Sequence, residues 1–322
     1  MMDNNGKRSN TELFRSYNRL RGIDMRGGAT DSFCYLENMY VDYDSTGDSV
    51  ESIPGYRKIL SLGEKIKSIA LCGSESEEFL LIHAKNHLYK LRKSERERVN
   101  SLSPTAEIND GESNIFSFAN LTLIADGTRL IRLTDLGIEE VSSRKEIAGC
   151  TLAAIFDGRL FLGGNPHCPS KIYYSEPIAD GRIEFSDEDG ICIYPDMVKI
   201  SSLLPYGNML WVFRSADDGQ GAIALIKRKG DNYSLDGFIP SPVCLSNAVA
   251  YDNRIFYMSD RGAVAIEHPL DPERRKAVCI SMPIAPMLAG ENKSDARLTL
   301  WKGYVMFCFG ERVYLADTRN KT

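Results

Sequence analysis

Histidine is scarce, with four residues in 322, and none of them sits in a pattern that chemistry would use. His83 and His87 are four apart, a spacing that gathers two metal ligands only on one face of a helix. Here the intervening Ala84-Lys85-Asn86 reads as a hairpin turn, which leaves the two a packing or solvent-facing role. His167 lies between Pro166 and Cys168 without a partner for metal binding or nucleophile activation, and His268 before Pro269 reads as loop punctuation. The cysteines (Cys34, Cys72, Cys150, Cys168, Cys192, Cys244, Cys279 and Cys308) stand singly, which excludes the close pairs of zinc sites and redox dithiols. They read as small buried hydrophobes in a reducing compartment. There is no glycine-rich phosphate cradle, serine nucleophile elbow or dinucleotide fingerprint, so nucleotide chemistry is not expected. No apolar run is long enough to span a bilayer, and the polar start MMDNNGKRSNTELFRSYNRLRG lacks the apolar stretch of a signal peptide, so a cytoplasmic origin is expected. The balance of 39 Lys+Arg against 44 Asp+Glu, a formal charge of -5, is too mild for a nucleic-acid groove or an anionic membrane surface.

What the chain has is repetition. Hydrophobic residues make up 43% and charged residues 26%, ordinary globular composition, and they recur in one unit: an apolar stretch, a tight polar turn, a second apolar run, another turn and a third run. Residues 65–91 fit it, with turns at Glu77-Glu78 and Ala84 to Asn86. Residues 113–133 follow, with turns at Ala119-Asn120 and Asp126-Gly127-Thr128. In TLAAIFDGRLFLGGNPHCPSKIYYSE, Asp157-Gly158 closes one hairpin and a longer loop carrying His167 and Cys168 replaces the second turn. ISSLLPYGNMLWVFRSADDGQGAIALIKR stretches its second turn too, while SNAVAYDNRIFYMSDRGAVAIEH and ARLTLWKGYVMFCFGERVYLAD keep both short. The Asp-Gly, Asp-Asn and Lys-Gly pairs suit hairpins whose central residues need positive φ.

Units recur roughly every 40 to 50 residues, the length of a four-stranded propeller blade, and helical periodicity is almost absent. A blade cannot bury both faces alone, so the units must stack around an axis. The expected fold is an all-β propeller of about six blades. Two β-sandwiches would also show many short strands, but no Pro-, Gly- or Ser-rich linker divides the chain. The expected organisation is a polar arm over residues 1–21 and one propeller domain over 22–322. The last strand pattern ends near Ala316, so closure is expected to draw on the N-terminal part, where CYLENMYVDY and SVESIPGYRKIL flank a polar turn as a hairpin does. Such a hairpin would suppress an open sheet edge. Trp211 and Trp301, with Phe213 and Phe307, occupy strand positions of corresponding units and read as blade-packing aromatics.

Residues 21–60 carry a further pattern: Gly22, Ile23 and Asp24; then Glu37, Asn38, Met39 and Tyr40; then Asp42, Asp44 and Gly47; then Ile53, Pro54, Gly55, Tyr56, Arg57 and Lys58. This segment resembles the opening of a broad group of tailed-bacteriophage structural proteins. In that group a Gly-hydrophobic-Asp element precedes an Asn-rich strand, a turn with Asp and Gly, and a Pro-Gly-aromatic-Arg-Lys segment. DGRLFLGG followed by IYYSEP, and SSLLPYGNMLWVF, resemble the same group more loosely. The resemblance implies a virion component of the tail-nozzle, tail-tube or head-to-tail type, found in the particle and, during assembly, in the host bacterial cytoplasm. Its implied partners are other virion or tail proteins in an oligomeric assembly, with no membrane and no specific nucleic acid. The residues it marks for structure and assembly are Gly22, Asp24, Asn38, Asp42, Pro54, Gly55, Tyr56 and Arg57. The arm before Gly22 mixes Lys7, Arg8, Arg15, Arg19 and Arg21 with Phe14, Tyr17 and Leu20, a composition suited either to gripping a neighbour or to a frayed end.

Two alternatives belong to other function classes. A carbohydrate-active propeller would need two or three carboxylates at its axis, and the Ser-x-Asp-x-Gly-x-Thr-Trp repeat of sialidase-type propellers is missing. Its nearest fragment, Ser259-Asp260-Arg261-Gly262, has different spacing and no following Trp. A cytosolic protein-interaction propeller is the other alternative. Asp42, Asp44, Thr46, Gly47 and Glu51 resemble the start of a calcium loop, but the twelfth position is Ile53 rather than the bidentate Glu, so a self-bonding turn is expected. The expectation is a non-enzymatic scaffold with no cofactor and no metal.

Overall fold

The computed structural model describes residues 39–42, 49–52, 59–73, 77–95, 101–118, 120–142, 144–177, 182–185, 190–194, 196–215, 221–310 and 312–317. It is built from antiparallel sheets in which sequential strands are neighbours, and six of these sheets are blades in the arrangement of a six-bladed β-propeller. The chain forms two compact units, one over residues 57–250 and one joining residues 1–56 to residues 251–322.

The N-terminal hairpin pairs β1 (Met39–Asp42) with β2 (Ser49–Ser52). The first blade holds β3 (Ile66–Cys72), β4 (Phe79–Ala84), β5 (His87–Arg92) and β6 (Ala106–Glu107). The second holds β7 (Asn114–Phe118), β8 (Leu121–Ala125), β9 (Leu130–Thr134) and β10 (Gly137–Ser142), and a one-turn helix α1 (Lys145–Ala148) leads out of it. The third is β11 (Leu152–Phe156), β12 (Arg159–Gly163), β13 (Lys171–Tyr174) and β14 (Ile191–Cys192). The fourth is β15 (Ile200–Tyr206), β16 (Met209–Arg214), β17 (Gly221–Lys229) and β18 (Asn232–Ser241). The fifth contains β19 (Val249–Tyr251), β20 (Arg254–Ser259), β21 (Gly262–Glu267) and β22 (Lys276–Cys279). After α2 (Ala285–Leu288), the sixth has three strands, β23 (Arg297–Trp301), β24 (Tyr304–Phe309) and β25 (Arg312–Asp317).

The turn chemistry expected from the sequence is what the backbone adopts. Asp157 and Gly158 take φ of 51° and 72°, Asp252 and Asn253 take 46° and 55°, and Lys302 and Gly303 take 46° and 81°. Two successive positive φ values match the right-handed twist of the flanking strands, which is why these dipeptides set the hairpin register. Each of the six repeats places its strands where the pattern put them, down to the long β12–β13 loop carrying His167 and Cys168.

Within the unit of residues 57–250 the core lies between successive blades. Phe79, Leu81 and Leu88 of the first blade pack with Ile115, Ile124 and Ile131 of the second. Leu123 and Leu130 of the second pack with Leu160, Leu162 and Tyr173 of the third. Phe161, Ile172 and Tyr174 of the third pack with Leu210, Val212, Ile226 and Tyr233 of the fourth. Each such side chain contributes about 1.5–3 kcal/mol when fully buried, so the seams between blades carry the stability that no blade has alone. Trp211 and Phe213 are fully buried and Phe307 nearly so, as blade-packing aromatics should be. Tyr194 is tied at its hydroxyl, donating to the Val212 carbonyl at 2.8 Å and accepting from the Ala224 amide at 3.3 Å. Among the described residues the cysteines divide: Cys72, Cys150 and Cys244 are buried, Cys168, Cys279 and Cys308 are intermediate, and Cys192 is exposed at the end of the short edge strand β14.

In the other unit, Gly262 opens β21 at φ 125°, and a Cβ there would lie 2.3 Å from Ser281 Oγ. That hydroxyl accepts the Ala263 amide at 3.0 Å, so it cannot turn away without orphaning a buried donor. Gly262→Ala therefore combines a disfavoured φ with a clash and is expected to cost about 2–3 kcal/mol. Urea titration of the variant checks it, and a midpoint equal to the parent's would refute it.

Candidate functional site

The only assembly residue named from the sequence that falls among the described residues is Asp42, which pairs with Ser49 at the turn end of the hairpin. Gly22, Asp24, Asn38, Pro54, Gly55, Tyr56 and Arg57 lie outside the described residues, as do the polar arm and the turn with Asp44 and Gly47. What is described of the resemblance segment is its hairpin, and among the described side chains Tyr40 is the one that meets the sixth blade.

Tyr40 of β1 is only 5% exposed. Its ring meets Trp301 edge-on at 5.2 Å between centroids and Tyr304 at 6.1 Å, so the hairpin is held against the β23–β24 turn of the sixth blade. The Lys302 ammonium lies 5.3 Å from the Tyr40 ring centroid and 5.4 Å from that of Trp301, a position the negative ring faces favour. The hydroxyl closes the arrangement: Lys302 Nζ donates to Tyr40 Oη at 3.3 Å, and Tyr40 Oη donates to Glu51 Oε2 at 2.9 Å. Glu51 stands opposite Tyr40 on β2. The carboxylate that the sequence offered as part of a calcium-like loop is thus engaged with a phenol within the hairpin. The hairpin forms where expected, and among the described residues it is a sheet of its own, docked by side chains rather than hydrogen-bonded into the sixth sheet.

A second polar cluster lies between the first and second blades, in the unit of residues 57–250. His83 on β4 is fully buried. Its Nδ1 is 2.8 Å from Ser113 Oγ, its Nε2 is 2.6 Å from the Lys85 carbonyl oxygen, and Ser113 Oγ is 2.6 Å from Ser68 Oγ on β3. Lys67 and Asp110 form an ion pair beside it. His87, by contrast, points to Glu107 across the β5–β6 pair at 3.6 Å, so the two histidines of the i, i+4 pair do not converge.

Asp126, fully buried at the end of β8, collects five donors. They are the Thr128 amide at 2.9 Å and hydroxyl at 2.7 Å, the Arg129 amide at 2.6 Å and guanidinium at 3.3 Å, and the Asn109 amide at 3.3 Å. Burial alone pushes this carboxyl up; the bonds from Thr128, Arg129 and Asn109 outweigh it and hold Asp126 below the ordinary carboxylate range. Asp126 is thus a structural anion that pins the connection between two blades. Among the described residues no group of three or more His, Cys, Asp or Glu side chains is placed to hold a metal ion.

No protein-family model matches the chain and no curated protein matches its sequence. Solved structures do resemble it. BBS1N in complex with ARL6DN superposes with a TM-score of 0.50 at 11% identity over 78% of each chain. A protein of Bacteroides fragilis described as a candidate 6-phosphogluconolactonase gives 0.45 at 8% identity, covering 66% of this chain and 68% of its own. The extracellular domain of a hybrid two-component system of B. thetaiotaomicron gives 0.46 at 13% identity, covering 87% of this chain and 44% of its own. At such identities the likeness is one of fold.

Sequence reasoning missed Lys302 as an anchor, having read Lys302-Gly303 only as a turn. It read His83 as packing without the serines that flank it, and Asp126 as a turn residue without its burial. The Asp-Gly-Thr-Arg string was a usable signal for Asp126, since an Asp two and three residues before free amides is the Asx-turn pattern.

Proposed function

We propose that this chain is a non-catalytic structural protein of a tailed phage or prophage particle, a rigid propeller module of the tail or head-to-tail region that works through surface contacts with other virion proteins. The observation that carries the reading is the signature of residues 21–60. Tyr40, which belongs to that signature, is the side chain that seats the hairpin on the sixth blade. A particle component needs a stiff scaffold with loops free to dock neighbours, and stacked antiparallel blades provide it. The polar clusters described above fit the same reading, because each is spent on tying one part of the fold to another. Mass spectrometry of particles purified from a host carrying the gene tests it: the protein is expected in a fixed ratio to the other tail proteins, and particles lacking it would end the proposal.

A further inference from the structure

The loop that leads from the first blade to the second is held by a buried histidine whose two ring nitrogens are both engaged. The Lys85 carbonyl can only accept, so His83 Nε2 carries a hydrogen. In the neutral ring Nδ1 is then an acceptor, which requires the Ser113 hydroxyl to donate to it and Ser68 to donate to Ser113. Every partner is satisfied in this one arrangement. Ser68 belongs to β3 and His83 to β4, whereas Ser113 lies just before β7, so the relay spans the seam between the two blades.

We propose that His83 is a proton-sensitive pin: neutral, it fixes residues 109–113 against the first blade, and protonated, it releases them. A proton on Nδ1 turns that atom into a donor. Ser113 must then reverse its hydrogen toward Ser68, and Ser68 must find another acceptor. The charged groups around the ring do not compensate. Lys67 on β3 repels a second cation, Asp110 is already paired with Lys67, Asp126 is saturated by its five donors, and the Lys85 ammonium is paired with Glu64 at 3.6 Å. Neither imidazole nitrogen bonds to a carboxylate among the contacts described.

Burial, with a smaller push from Lys67, holds the His83 imidazole below its ordinary value of 6.5 against the opposing pull of the Lys85 carbonyl and the two carboxylates. The sign follows. A histidine depressed in the folded state binds its proton more weakly there than in the opened state, so the pin is intact above pH 6.5 and weakens as pH falls from there through the folded value. The loop also carries the Asn109 amide bond to Asp126, so its release loosens a second tie across the same seam.

The test uses the full chain. Hydrogen exchange of the amides at 109–113, corrected for intrinsic rates, is expected to lose protection by up to about tenfold per pH unit below pH 6.5. His83→Gln, which can donate to Lys85 and accept from Ser113 without titrating, is expected to show the same protection at pH 7.5 and 5.5. Equal protection of the parent at both pH values, or an identical loss in the variant, would overturn the proposal. If the variant does not fold, NMR titration of the parent's imidazoles decides: His83 titrating below 6.5 as the Nε2–H tautomer supports the pin, and a value at or above 6.5 removes it.

Discussion

Asp126→Ala is expected to lower the unfolding free energy by about 3 kcal/mol, because hydrogen bonds to an ionised group are worth roughly 1.5–3 kcal/mol each and several would be lost together. The full sum is not reached. Asn109 and Thr128 are exposed, so their amides can turn to water, whereas the carboxylate itself is wholly enclosed. A melting temperature lower by roughly 6 °C or more is the expected readout. Asp126→Asn should fall between the two, since its amide keeps one acceptor but brings two hydrogens to a place already full of donors. The parent should also lose this contribution in acid. With its folded-state carboxyl below the ordinary range, Asp126 stabilises the fold above about pH 4 and ceases to do so as pH falls through the folded value. A melting temperature unchanged in Asp126→Ala would mean that the carboxylate is not the hub between Asn109 and the β8–β9 turn.

These two blade-to-blade ties differ in how far they could be seen in advance, and the difference is one of sequence separation. Asp126 bonds to residues two and three positions on, so its turn was legible from local chemistry; its contact with Asn109 was not. The hairpins at Asp157-Gly158, Asp252-Asn253 and Lys302-Gly303 were legible for the same reason, since positive φ at a short turn selects its residues without reference to the rest of the chain. Blade count followed from repetition of those turns. The His83 relay reaches 30 residues to Ser113, and Lys302 reaches 262 residues to Tyr40. No periodicity constrains such pairings, because they depend on how blades are placed against one another rather than on how each is made. Cys192 shows the same limit from the other side: its apolar neighbours suggested burial, yet it lies in a two-residue strand that pairs on one side only, and that leaves it exposed.

Tyr40→Ala should detach the N-terminal hairpin from the sixth blade. A two-stranded hairpin is at best marginal by itself in water, so its order depends on the ring that Trp301, Tyr304 and Lys302 surround. Removing a buried aromatic costs about 3–5 kcal/mol in a core, and a value near the lower end is expected here because the opened site can take up water. Tyr40→Phe keeps the ring contacts and loses only the hydroxyl's link between Lys302 and Glu51, about 1 kcal/mol. Fluorescence separates the outcomes. Of the two tryptophans, Trp211 is fully buried and belongs to the other compact unit, whereas Trp301 is partly buried and touches Tyr40. A red shift in Tyr40→Ala that is absent in Tyr40→Phe, and absent again when Trp301 is replaced by Phe in the same background, is therefore the signature of a lifted hairpin. Uncovering Trp301 and Tyr304 also exposes apolar surface, so the Ala variant should aggregate at concentrations where the Phe variant stays dispersed. Under the assembly role proposed above, the Ala variant should be depleted from particles and the Phe variant retained. Emission and solubility identical to the parent in Tyr40→Ala would show that the hairpin is held by something other than this aromatic seat.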